Sequence, residues 1–220
     1  GEKIPDATVV KWKNETGTEV YEAFGMSECS TFISGSPRRR APKGTIGSLQ
    51  DGRKIALLNN GKPVENGSIG RISIADNECG LMLGYLKSDG AFDLPLQNRY
   101  FQTGDLAMRT ADGALIYQGR NDDMMNAGGY RVSPLEVEAA FAAHQDIAQI
   151  ACCEVSVKKD ASIIVAFYTA PNVLDHEQLD AFAAQQLAQY KRPRIYVHVH
   201  TLPRGANNKL LRRKLRQDWE

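Results

Sequence analysis

Tyr117-Gln118-Gly119-Arg120-Asn121-Asp122-Asp123-Met124-Met125-Asn126-Ala127-Gly128-Gly129-Tyr130-Arg131-Val132 is the stretch at which the chain changes texture. Glycines and charged groups crowd it, as they do at boundaries between compact units where few contacts cross. Downstream, Ser133-Pro134-Leu135-Glu136 sets an N-cap serine, a proline at the first helical position and a glutamate three residues on, a capping box that opens a helix to about His144. Ile147 to Val155 and Ile163 to Tyr168 are rich in β-formers. Asp175 and Gln178 start a second helix carrying Leu179, Phe182, Ala183 and Leu187 on one face. A strand at Ile195 to His200 and a last helix from about Asn208 complete the alternation of a compact α/β domain over residues 121–220.

Upstream the pattern is different. Ala7 to Glu19 reads as an amphipathic helix ending at Gly17, followed by a short strand at Glu19 to Phe24 and a Gly-Met-Ser-Glu loop, an α/β segment over about residues 1–35. Beyond the loop from Pro37 to Lys43, the turn dipeptides Asp51-Gly52, Asn60-Gly61, Asn66-Gly67 and Asp112-Gly113 separate short strands, of which Arg71 to Ile74 and Ala114 to Tyr117 are the clearest. Residues 36–118 therefore read as a small antiparallel sheet or barrel, and the whole chain as a mixed α/β (α+β) fold. No internal repeat is visible.

Composition excludes several classes. The 220 residues are 42% hydrophobic, enough for a sizeable core, and the formal net charge of +1 gives no global electrostatic reason to bind nucleic acid or membrane. Only Arg38 to Lys43 and Arg204 to Arg216 are locally basic, and Arg212, Arg213, Lys214 and Arg216 read as a solvated helix face. Cys29, Cys79, Cys152 and Cys153 lack C-x-x-C spacing, which argues against a zinc site or disulfide framework and for a reducing cytoplasm; Cys152-Cys153 reads as packing. No apolar run approaches bilayer length, and Gly1 to Val10 lacks the pattern of a signal peptide. The chain has no initiator methionine, as expected of a piece cut from something longer.

Four segments carry chemistry. In Tyr21-Glu22-Ala23-Phe24-Gly25-Met26-Ser27-Glu28 an aromatic, a glycine, a hydroxyl and a carboxylate stand within five residues, a set able to stack a base and hold magnesium beside phosphates. Tyr100-Phe101-Gln102-Thr103-Gly104-Asp105 places a carboxylate after a glycine bend, where it can accept both hydroxyls of a ribose. The boundary stretch is the third. The fourth, Leu202-Pro203-Arg204-Gly205-Ala206-Asn207-Asn208-Lys209-Leu210-Leu211-Arg212-Arg213, sets one lysine on a turn-rich loop at the lip of a basic helix, suited to delivering a cation to a reacting anion. His198 and His200 share one face of the expected strand with Tyr196, a spacing compatible with a metal but without a third ligand nearby.

In this order the four segments resemble the motifs of the acyl-adenylate-forming superfamily, which includes acyl-CoA synthetases, adenylation domains of peptide synthetases and firefly luciferase. The likeness covers almost the whole chain, and corresponds to the C-terminal part of such an enzyme: residues 1–120 to the end of the large AMP-binding domain with its barrel-like subdomain, residues 121–220 to the mobile C-terminal domain. The resemblance implies that Gly1 and Glu2 belong to an adenine loop, that Phe24, with Gly25 and Met26, lies against adenine, and that Ser27 replaces a family threonine near the phosphates. It implies magnesium at Glu28, ribose hydroxyls at Asp105 and Arg120, a hinge at Asp122, a pantetheine tunnel lined by Gly128 and Gly129 with Arg131 behind, and the catalytic lysine at Lys209. Lys3 stands where the family has proline. Asn208 stands where the residue before the lysine is commonly glycine, and asparagine tolerates the left-handed conformation that such a loop needs.

The implied activity is that of an AMP-forming acyl-CoA synthetase of fatty or aromatic acid metabolism. A carboxylate attacks the α-phosphorus of ATP to give acyl-AMP and pyrophosphate, and coenzyme A then displaces AMP. ATP or AMP, magnesium and coenzyme A are the implied ligands, a small carboxylic acid the substrate, and the missing N-terminal part of the same enzyme the partner. These residues alone are expected to be inactive. A ligase loading a carrier-protein phosphopantetheine is the alternative within the class; a nucleic-acid module using the basic C-terminal helix is the alternative outside it, opposed by the near-neutral charge.

Overall fold

The computed structural model describes residues 4, 6–158, 161–206 and 208–219, so the nucleotide contacts expected of Gly1 and Glu2 lie outside the described residues. The chain divides into two compact units, Gly1–Gln118 and Gly119–Glu220, the division falling inside strand Leu115–Arg120. No helix among the described residues is long and apolar enough to cross a membrane.

In the first unit, helix Asp6–Thr16 stops where the Gly17 N–H bonds Lys13 O at 2.9 Å. The expected apolar face is not buried: Val10 and Trp12 stay exposed, and the Trp12 indole donates to the Thr18 hydroxyl at 2.8 Å. The strand expected over Glu19 to Phe24 begins only at Ala23 and runs to Met26, antiparallel to Ser30–Ser34. Its partner ends where the chain turns, with Ser36 and Arg39 exchanging backbone hydrogen bonds, so Glu19 to Tyr21 have no strand opposite them. The larger sheet orders strands Leu115–Arg120, Tyr100–Arg109, Ile69–Ala75, Ile55–Asn59 and Lys62–Pro63, with Leu96–Gln97 also paired to Tyr100–Arg109; it is an open, half-barrel sheet rather than a closed barrel. Its inward side chains, Leu57, Ile72, Ile74 and Phe101, pack with Phe32 and Ile33 of the hairpin into one core. A buried ion pair adds to that join: Arg53 donates to Glu78 at 2.9 Å and to Thr31 O on the hairpin.

The second unit is a three-stranded sheet with helices on both faces. Gln149–Lys158 pairs antiparallel with Ala161–Thr169, which pairs parallel with Ile195–His198 across helix His176–Gln186. Alternation sends Cys152, Ile164, Ala166 and Tyr168 to the face covered by helices Pro134–Ala140 and His176–Gln186, and Cys153, Val155, Val165 and Phe167 to the face covered by helix Arg212–Trp219. Both adjacent cysteines are thus buried, and burial pushes their thiols up, Cys153 to about 11 and Cys152 well above its ordinary value. The caps are where the sequence places them: Ser133 Oγ accepts from the Glu136 N–H, and Asp175 from the Gln178 N–H at 2.9 Å. Helix Pro134–Ala140 is shorter than expected because tighter bonds take over after Ala140, from Phe141 N–H to Glu138 O and from Ala142 N–H to Ala139 O. The last helix starts at Arg212 rather than near Asn208, because Asn208 turns left-handed and Leu210 bridges back to Arg204.

Candidate active site

Asp105 does not sit in a turn but inside strand Tyr100–Arg109. Gln102 faces Ser73 and Leu106 faces Arg71, so Thr103, Gly104 and Asp105 bulge opposite the single residue Ile72. The Thr103 hydroxyl holds the bulge, donating to Ile72 O at 2.8 Å and accepting the Asp105 N–H at 3.1 Å. Asp105 is only 7% exposed, and its Oδ1 accepts the Tyr117 hydroxyl at 2.8 Å. The Tyr117 ring lies 5.4 Å from that of Phe24, which meets Phe32 edge-on at 5.6 Å. Phe24 is therefore half-buried against the core while remaining joined, through Tyr117, to Asp105. No local signal in the sequence connects Tyr117 to a carboxylate twelve residues away.

The turn after Phe24 carries the other two expected groups of this unit. Met26 O accepts the Cys29 N–H at 3.1 Å, leaving Ser27 exposed and Glu28 half-buried. Glu28 Oε1 accepts the Tyr85 hydroxyl at 3.0 Å. No group of three or more His, Cys, Asp or Glu able to hold a metal ion occurs among the described residues, and His198 Nε2 is 2.9 Å from Ala170 O.

In the second unit, Arg120 ends its strand and Asp122 stands in the middle of the 3-10 turn Asn121–Asp123. Arg131 donates from Nη2 to the backbone and side-chain oxygens of Asn121, both at 3.1 Å. Gly128 and Gly129, with φ of +57° and +85°, make the tight turn between strands Met125–Ala127 and Tyr130–Val132. Tyr130 is exposed and lies 4.5 Å from the Tyr190 ring.

The lysine loop closes on itself. Lys209 O accepts the Gly205 N–H at 2.8 Å, Pro203 O accepts the Leu211 N–H at 2.9 Å, and Arg204 Nη1 donates to Asn208 O at 2.7 Å. Asn208 takes φ +61°, the left-handed conformation anticipated for it, and the Lys209 side chain stands exposed. The basic face after it is not all solvated. Arg212 is 11% exposed and gives Nη2 to both oxygens of Glu138, at 2.8 and 2.7 Å, and the Arg216 Nε is also buried, which leaves Arg213 and Lys214 as the exposed pair and weakens the nucleic-acid reading.

Residues 1–86 match the model of the AMP-binding enzyme family, and residues 136–209 that of the AMP-binding enzyme C-terminal domain. The chain is 32% identical to 2-succinylbenzoate–CoA ligase of Bacillus licheniformis over 198 residues, 89% of this chain and 41% of the relative. It is 30% identical to the mitochondrial acyl-coenzyme A synthetase ACSM5 of Rattus norvegicus, covering 100% of this chain and 40% of the relative. It therefore spans about two fifths of the length of these curated relatives. Among solved structures it is similar to the anthranilate CoA ligase AuaEII in complex with anthranoyl-AMP (TM-score 0.84, 29% identity, 99% of this chain and 43% of that one). It is also similar to the o-succinylbenzoate CoA synthetase of Bacillus subtilis in complex with its acyl-adenylate (TM-score 0.83, 28% identity, 98% and 44%). With both family models matched in order and the fold shared over nearly its full length, the chain belongs to the acyl-adenylate-forming superfamily.

Proposed function

We propose that these residues are the C-terminal part of an AMP-forming carboxylic acid–CoA ligase, with the adenosine side of the nucleotide held by the first unit and the reacting cation supplied by the second. The observation that carries the reading is the placement of Lys209: an exposed ammonium on a self-closed loop, preceded by a left-handed asparagine. A solvated ammonium on a flexible stem can neutralise charge growing on the phosphoryl and carboxylate oxygens as acyl-AMP forms. The Phe24 ring supplies a face for adenine, Asp105, with Oδ1 engaged by Tyr117, accepts a ribose hydroxyl, and Arg120 donates to a ribose oxygen. Ser27, exposed beside Glu28, offers its hydroxyl to the phosphates.

Magnesium fits this donor set, because it keeps several waters and takes only one or two carboxylates beside substrate phosphates. Glu28 would hold it, steadied by the Tyr85 hydroxyl. When bound, it would offset the negative charge of the phosphates. In the second half-reaction coenzyme A enters past the Gly128-Gly129 turn after the small unit swings about Asp122, which takes Lys209 out of the way. The substrate is a small carboxylic acid of the aromatic or fatty class that the relatives' names specify. Free thiols at all four cysteines support a reducing compartment such as the cytoplasm.

Lys209→Ala in the full-length enzyme separates the two steps. Acyl-AMP formation is expected to fall about a hundredfold or more, while thioester formation from supplied acyl-AMP stays within about twofold. Equal loss of both, measured by single-turnover assays of each half-reaction, contradicts the assignment.

A further inference from the structure

The hinge turn and the lysine loop are joined by one guanidinium. Arg212, three residues after Lys209 and first in helix Arg212–Trp219, sends Nη2 to both oxygens of Glu138 and Nη1 toward Asp123 Oδ2 at 3.7 Å. Glu138 is tied in turn to the sheet, its Oε1 accepting the Cys152 N–H at 2.8 Å. Burial raises the Glu138 carboxyl above its ordinary value, opposed by Arg212 and the Cys152 N–H. Asp123 closes the 3-10 turn that contains Asp122, and the other end of that turn is held at Asn121 by Arg131. Two carboxylates from different elements thus converge on a single arginine that directly follows Leu211, whose N–H closes the lysine loop by bonding across to Pro203 O.

We infer that Asp123 and Arg212 are positioning residues for Lys209: their ion pair carries the setting of the hinge turn to the loop that presents the ammonium. The inference rests on the proposed role of Lys209, although the coupling itself is a property of this unit alone. Arginine suits the task because its rigid planar fork gives each carboxylate its own nitrogen, Nη2 to Glu138 and Nη1 toward Asp123, where a lysine would offer one rotatable ammonium. Glu138→Gln or Arg212→Gln would leave a buried charge uncompensated and endanger folding. Asp123, with a side chain 29% exposed, can lose its charge without disturbing the Arg212–Glu138 contact.

Two measurements decide it. In the chain itself, Asp123→Asn and, separately, Arg212→Lys are expected to speed amide exchange at Gly205 and Leu211 about tenfold while leaving the strand amides of Gln149–Lys158 unchanged. Unchanged exchange at both loop amides overturns the coupling whatever Lys209 does. In the full-length enzyme, Asp123→Asn is expected to slow acyl-AMP formation about tenfold when Lys209 is present and less than about twofold when it is alanine. The same tenfold loss in both backgrounds would mean a merely structural effect and defeats the claim that Asp123 acts through Lys209. Failure of the proposed function reads differently: Lys209→Ala alone would then show no selective loss of adenylation.

Discussion

At Glu78 burial works to raise the carboxyl, and four donors overcome it: the Lys54 N–H at 2.6 Å, Arg53 at 2.9 Å, the Gly80 N–H at 3.1 Å and the Cys79 thiol at 3.4 Å. They hold it down at about 2, against an ordinary value of 4.5. Because the folded value lies below the unfolded one, the stabilisation is present above pH 4.5 and is lost as the pH falls through that value toward about 2. Glu78→Gln is therefore expected to lower the stability of the first unit at neutral pH by about 3 kcal/mol. It should also flatten the acid sensitivity between those limits. Urea unfolding at neutral pH and at acid pH checks this; a variant as acid-sensitive as the parent speaks against it. Neither Glu78 nor Arg53 was legible in advance, since their encounter spans 25 residues and follows no period.

The hairpin that carries Phe24, Ser27 and Glu28 depends on close backbone approach at Gly25. A Cβ there would stand 2.3 Å from Ser30 O and 2.6 Å from Thr31 Cα, both backbone atoms that cannot swing aside. Gly25→Ala is thus expected to destabilise the first unit by about 2–3 kcal/mol and to displace Phe24 from Tyr117, lowering affinity for AMP in the full-length enzyme. Denaturant titration and calorimetric AMP binding read the two effects. An alanine variant with parental stability and affinity would remove the close-approach argument. At Gly128 and Gly129 the Cβ positions are open, so that turn needs glycine for its left-handed backbone and not for space. Such elements were largely legible: the Ser133 and Asp175 caps, the Asn60-Gly61 turn and the Asn208 conformation all follow local rules. The first strand was misplaced because its length depends on where the partner strand turns away.

Across the molecule, the two units have separate cores and the proposed hinge lies just inside the second. Asp122 stands in a 3-10 turn anchored at both ends by arginines, so any change of domain setting at this point is confined to few backbone torsions. Asp122→Pro restricts φ there and is expected to slow one half-reaction of the full-length enzyme about tenfold more than the other. Unchanged rates for both half-reactions would remove the hinge from Asp122.

From the chain of residues alone came the mixed α/β fold class, the helix caps and the motifs whose order marks the superfamily, because each rests on neighbours within a turn or a strand period. Only the tertiary structure decided which polar groups are withdrawn from water and paired. It took Arg212 from an apparently solvated basic face into contact with Glu138, 74 residues away, and set Tyr117 on Asp105 through a bulge no periodicity encodes. The physical reason is that burial and ion pairing depend on what the folded chain brings from a distance, whereas helix, strand and turn preferences are local.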